Sequence, residues 1–159
     1  MSRDPLASLE EKIGHRFKNR ALLLQALTHS SRKADLQCSN ERMEFLGDAI
    51  LGGAVSEYLY RRCLDFSEGD LTRIKSAVVS RAALGRAGKA VNLGEYLIVA
   101  KGVANLPEGT DPDQVDRNAA LPPSLLSNAF EALVAAVFLD SGIRSAFQFV
   151  VRHLKEPID

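Results

Sequence analysis

The chain of 159 residues has no excess charge of either sign: 20 lysines and arginines stand against 20 aspartates and glutamates. That balance excludes a strongly basic nucleic-acid module of the histone or basic-arm kind. It does not exclude a nucleic-acid substrate, because opposite charges can be segregated on one surface. No apolar run reaches the roughly 18 residues that a membrane span needs. The N-terminus, MSRDPLASLEEKIGHRF, lacks the apolar core of a signal peptide. No membrane partner is expected, and the location expected is cytoplasmic. Cysteine is scarce: Cys38 and Cys63 form no CxxC and no Cys/His cluster. This argues against a zinc site or a disulfide framework, and for two free thiols in a reducing compartment. Six prolines and 11 glycines are too few for a collagen-like or generally disordered chain. Internal repeats, low-complexity tracts and strand-like alternation are all missing.

What is present is an ordinary globular composition, 46% hydrophobic and 25% charged, long enough to bury a full core as one domain over residues 1–159. The apolar spacing is helical almost throughout, so the class expected is all-α. Leu6, Leu9 and Ile13 mark one face of a first helix, and Leu22, Leu23, Ala26 and Leu27 a second. A polar loop covers 30–40, after which Asn40 is placed to cap a long helix from about Glu41 to Cys63. Ser67 can cap another, with Glu68 and Asp70 in its first turn. Ser80 opens the next, running to Asn92-Leu93-Gly94, and Tyr96–Val99 reads as extended chain or a helix end. Residues 104–120 read as a flexible acidic loop. Pro122-Pro123-Ser124 then start an apolar helix ending near Asp140, Ser141-Gly142 break it, and a last helix reaches Lys155.

Two of these helices carry acids where acids are costly. Glu41, Glu44 and Asp48 fall at i, i+3 and i+7, one stripe of a helix, and nothing charged follows Asp48 until Glu57. Glu131 is the only charged residue between Arg117 and Asp140, with Asn128 one turn before it. A buried carboxylate without a partner costs several kcal/mol, and no lysine or arginine lies within a turn of Glu131. The bland alternative is that these acids cap loops or pair with distant arginines. If the two helices face each other, a divalent cation is the natural partner. Oxygen donors without nearby His or Cys suit Mg²⁺ or Mn²⁺. A di-iron bundle needs Glu-x-x-His, which His15, His29 and His153 do not form.

The segment ERMEFLGDAIL at 41–51 closely resembles the signature of the ribonuclease III family, with Met43 where that family usually has Leu. The resemblance continues in order through ALTHSS (26–31), EGDLTRIKSAVVS (68–80), LGEYL (93–97) and FEALVAAVFLDSG (130–142). It implies an all-α endonuclease domain that acts as a homodimer on double-stranded RNA, with Mg²⁺ or Mn²⁺, leaving 5′-phosphate and 3′-hydroxyl ends and a short 3′ overhang. By motif position, Glu44, Asp48 and Glu131 fall on metal-site acids, and Asn128 falls where an Asp is usual. Glu41 matches an auxiliary acid, Glu68 the acid of the EGD block, and Phe45 an aromatic inserted into a socket on the partner subunit. Asp48, Glu131, Glu41 and Glu68 are thus the catalytic candidates, and Glu44, Asp48, Asn128 and Glu131 the metal candidates.

Charge is segregated as RNA chemistry would need. Residues 71–101 hold six cations against Glu95 alone, among them Arg73 and Lys75 as the candidate RNA contacts. Residues 103–131 hold five acids against Arg117 alone. A-form RNA is read mainly through shape, phosphate and 2′-hydroxyl contacts. The chain ends at Asp159 without the double-stranded-RNA-binding domain that many such proteins carry, so it is expected to be either an isolated catalytic domain of a longer protein, the reading the full signature favours, or a stand-alone form. Two other classes compete: a non-catalytic RNA-binding scaffold on the same fold, with Asn128 its sign of decay, and an all-α interaction module whose acids are structural.

Overall fold

The computed structural model describes residues 4–32, 38–100, 109–111 and 114–158. Among them the secondary structure is helical, apart from one isolated parallel bridge between Thr28 and Ile98. The helices are α1 (Pro5–Ile13), α2 (Arg20–Leu27), α3 (Glu41–Arg62), α4 (Glu68–Val78), α5 (Arg81–Ala90), α6 (Arg117–Ala120) and α7 (Pro123–Ile158). Short 3-10 turns cover Ser30–Arg32 and Leu93–Glu95.

Local chemistry sets most of the boundaries. Asp4 accepts from the amide of Leu6 and Pro5 opens α1, while Gly14, at φ 70°, ends it in the left-handed region. Asn19 caps α2, Ser80 caps α5, and Ser67 with Asp70 forms a capping box on α4. Asn40 departs from the expected role. Its side chain caps no amide of α3. It is buried, and its Nδ2 donates to Ala26 O at 3.2 Å while its amide donates to Thr28 O at 2.9 Å. The residue therefore ties the start of α3 to the end of α2.

The hub is α7, against which α3, α5 and α2 pack. Phe130 and residues 132–137 are fully buried there. Its length and composition would also suit a membrane span, but its buried apolar side chains, Phe130 and Val137 among them, form the core of the fold. The expected break is real: Gly142 has φ 87° and ψ 177°, outside helical space, and the second arm runs on to Ile158. Asp140 secures this bend. Its carboxylate accepts from His15, Ser141 and the amides of Lys18 and Asn19, which hold it well below the usual carboxylate range against the opposing cost of burial.

The expected acidic loop is partly structured. Residues 104–108 and 112–113 lie outside the described residues, but α6 forms within the remainder, capped by Asp116. Arg117 donates to the carbonyls of Leu97 at 2.8 Å and Glu95 at 3.4 Å. It fastens α6 to the 93–99 segment and offers little to a substrate. Cys38 and Cys63 form no disulfide.

Candidate active site

Three chain segments converge on one cleft of about 650 Å³: the N-terminal half of α3, the α4–α5 turn and the start of α7. Glu41, Glu44, Phe45 and Asp48 come from α3, Val79, Arg81 and Leu84 from the turn and α5, and Ser127, Asn128 and Glu131 from α7. The helical stripe expected for Glu41, Glu44 and Asp48 therefore faces the second acidic helix.

Gly47 makes this meeting possible. A Cβ at that position would lie 1.8 Å from the backbone oxygen of Glu131 and 2.5 Å from its carbonyl carbon. The backbones of α3 and α7 approach too closely for any side chain there. Asp48 follows Gly47 directly and Glu44 precedes it by almost one turn, so the same contact brings both beside Glu131.

The electrostatics follow from crowding. Burial pushes the Glu131 carboxyl up to about 7, reinforced by the charges of Asp48 and Glu44 and opposed by Arg81. Glu44 is raised for the same reasons, burial first, then Glu41, with Asp48 adding and Arg81 opposing. Among the described residues, no group of three Asp, Glu, His or Cys is close enough by itself to define a metal cage. The donor set nevertheless fits a hard divalent cation: every polar side chain contributed by α3 and α7 presents oxygen, and the carboxylates repel one another. Such a cation would be held partly through water, as Mg²⁺ commonly is. Asn128 contributes an amide oxygen, which among the described residues receives one long 3.5 Å contact from Ser127 Oγ.

Other candidates lie elsewhere. Glu68 and Lys75 line a separate groove between α3 and α4, with Tyr60, Leu71 and Thr72. Within one chain, Glu68 is therefore not brought to the acidic cleft. Its carboxylate accepts from Thr72 Oγ1 at 2.7 Å. Arg73 is exposed and ion-paired with Asp70 at 2.5 Å. Phe45 is 84% exposed, an unusual state for a phenylalanine on a core helix. Beside it, Gln25, Met43, Leu46 and Leu139 line an apolar groove of about 640 Å³.

Arg81 is the cleft residue that the sequence motifs did not single out. In sequence it is one of six cations in a basic segment, 50 positions from Glu131. Ser80 caps α5, which sets Arg81 as its first residue and turns it into the acidic cleft. Only a link between Ser80 and the acidic helices in three dimensions could have singled it out.

A model of the Ribonuclease-III-like family matches residues 19–158. Ribonuclease 3 of Caldanaerobacter subterraneus is 40% identical over 157 residues, covering 97% of this chain and 64% of that protein. Ribonuclease 3 of Rhodopirellula baltica is 43% identical over 142 residues, covering 87% of this chain and 49% of that one. The chain thus spans about half to two thirds of the length of these relatives. The solved nuclease domain of ribonuclease III from Campylobacter jejuni, described as having a flexible region involved in dimer formation, superposes with a TM-score of 0.80. It is 31% identical, and the match covers 96% of this chain and 97% of that domain.

Proposed function

The chain belongs to the Ribonuclease-III-like family, and from that premise and its acidic cleft we propose a divalent-metal-dependent endonuclease of double-stranded RNA. The carrying observation is the convergence of Glu41, Glu44, Asp48 and Glu131 from two helices, with Asn128 and Arg81, on one open cleft. The products are 5′-phosphate and 3′-hydroxyl ends, the setting is cytoplasmic RNA processing, and ribosomal precursors are the candidate substrates.

In this reading Glu44, Asp48, Asn128 and Glu131 hold Mg²⁺ or Mn²⁺, directly or through water. The bound cation supplies charge neutralisation at the scissile phosphate and eases attack by water. Glu131, with its carboxyl near 7, gives up a proton as the cation is taken up. Glu41 lies at the outer end of the α3 stripe, where it can orient water. Arg81 offers guanidinium donors to non-bridging phosphate oxygens at the edge of the cleft. Arg73 and Lys75 flank the duplex, and Glu68 reaches the chemistry only if a partner subunit brings its groove alongside.

Incubation with long duplex RNA, with and without Mg²⁺, tests the proposal: metal-dependent cutting supports it. Asn128 gives the scaffold reading its one specific support, and binding without cutting would establish that reading instead. The amide also removes one negative charge from the site. Asn128→Asp is therefore expected to lower the Mg²⁺ concentration for half-maximal cutting by about tenfold, the scale of one charged contact. Identical metal dependence in the two proteins would refute the role given to Asn128.

The active form proposed is a homodimer with Phe45 in the interface. An 84%-exposed phenylalanine beside an apolar groove is the feature that a second copy would cover. Phe45→Glu should convert the protein from dimer to monomer in sedimentation velocity while leaving its helical circular dichroism unchanged. A dimer that persists would remove Phe45 from the interface.

A further inference from the structure

A second cleft, of about 770 Å³, lies on another side of α5. Arg81 and Leu84 line the acidic cleft, whereas Ala83, Arg86, Ala87 and Ala90 line this one. Its other walls are Lys12 from α1 and Arg152, His153, Leu154 and Glu156 from the second arm of α7. The cleft thus gathers three permanent cations against one carboxylate.

Two of those cations are tethered by neutral partners, and none of the three is ion-paired among the described residues. Arg152 donates to the carbonyl of Gly14 at 2.9 Å, and Lys12 donates to the hydroxyl of Tyr96 at 3.0 Å while lying over its ring. His153 Nε2 donates to the carbonyl of Ile13 at 2.9 Å, which leaves Nδ1 as an acceptor. Arg86 is exposed and makes no hydrogen bond or ion pair among the described residues. The ion pairs among the described residues use Arg20, Arg61, Arg73 and His15, none of which lines this cleft. Neutral tethers fix direction and leave charge uncompensated, which is the arrangement that receives an anion at low ordering cost.

We propose that this cleft binds the phosphate of a nucleotide, with Arg86, Arg152 and Lys12 as its donors. The small side chains of Ala83, Ala87 and Ala90 leave an apolar wall for a base or sugar, and the volume lies in the range of small-molecule sites, about 300–1,000 Å³. His153 Nδ1 suits a ribose hydroxyl. The phosphate has two sources, a free nucleotide or the backbone of bound RNA, and both present the same dianionic or monoanionic oxygens. The inference does not rest on the cleavage reading, since no residue of the acidic cleft takes part.

Arg86→Glu is the test, because Arg86 is exposed and carries no hydrogen bond or ion pair among the described residues. Calorimetry in EDTA, which keeps metal from recruiting phosphate to the acidic cleft, measures adenosine 5′-monophosphate binding to wild type and variant. Fluorescence anisotropy in the same buffer measures binding of a short RNA duplex. If the source is a free nucleotide, adenosine monophosphate binds and the variant weakens it about tenfold. If the source is RNA, the duplex binds less tightly to the variant and its log–log salt slope falls by about 1. Binding of both probes that is unchanged in Arg86→Glu, or no binding of either, overturns the proposal.

Discussion

Glu131→Gln is expected to lower metal-dependent cutting of duplex RNA on the order of 10³-fold while making the metal-free protein more stable at alkaline pH. The two effects share one cause. Glu131 is half-buried among carboxylates, so its negative charge helps only when a cation is there to meet it. Loss of one preorganised charged element from a reaction centre typically costs 10²–10³ in rate. The stability effect follows from proton linkage. The folded-state pKa, about 7, lies above the ordinary glutamate value of 4.5. The group's stabilising contribution is therefore complete below pH 4.5 and lost as pH rises through 7. That loss is about 2 kcal/mol once solvent screening of a half-buried group is allowed for. Glutamine cannot ionise, so thermal melts in EDTA should show the variant above wild type at pH 8 and level with it near pH 4. A smaller slope should remain in the variant, because Glu44 is raised in the same direction. Mg²⁺ should raise the wild-type melting temperature at pH 8 and do little at pH 4. A variant no more stable than wild type at pH 8 in EDTA would refute the placement of Glu131 in a desolvated acidic cluster.

Gly47→Ala should be among the most damaging single-methyl additions in the chain. The new Cβ would sit 1.8 Å from Glu131 O, well inside contact distance and against backbone rather than a movable side chain. Relief requires α3 to move off α7, and those two helices form the largest interface in the fold. Overpacking of this kind costs about 3 kcal/mol, which corresponds to roughly 6–12 °C in melting temperature at this size. The displacement also separates Glu44 and Asp48 from Glu131, so cutting should fall more steeply than the folded fraction measured at the assay temperature. Gly52→Ala is the comparison: its Cβ would meet only the end of Lys75, at 3.5 Å, an ordinary contact. Equal melting temperatures for the two variants would contradict the close approach at Gly47.

Much of this was legible in one dimension because the signals are local. A capping box such as Ser67–Asp70 and a glycine break such as Gly142 act over a few residues, and the helix pattern follows from apolar spacing. Asn40 shows where that logic stops. Its residue type suits a cap, yet burial between α2 and α3 turned its amide to the carbonyl of Ala26, a competition no local rule describes. Arg117 shows the same limit: a lone cation in an acidic segment is spent on the carbonyls of Glu95 and Leu97.

The absence of net charge illustrates the division best. Composition and spacing alone determined an all-helical chain with equal charges, acids on two apolar helices and cations gathered between them. Those are properties of neighbours along the chain, where a turn of helix relates one residue to the next. Which charges meet was decided only by tertiary packing. The contact at Gly47 drew four acids into one cleft, and the cap at Ser80 aimed Arg81 into it. Packing of α1, α5 and the second arm of α7 collected Lys12, Arg86 and Arg152 in another. Coulomb energy depends on distance in space and on burial, and neither can be counted along a sequence.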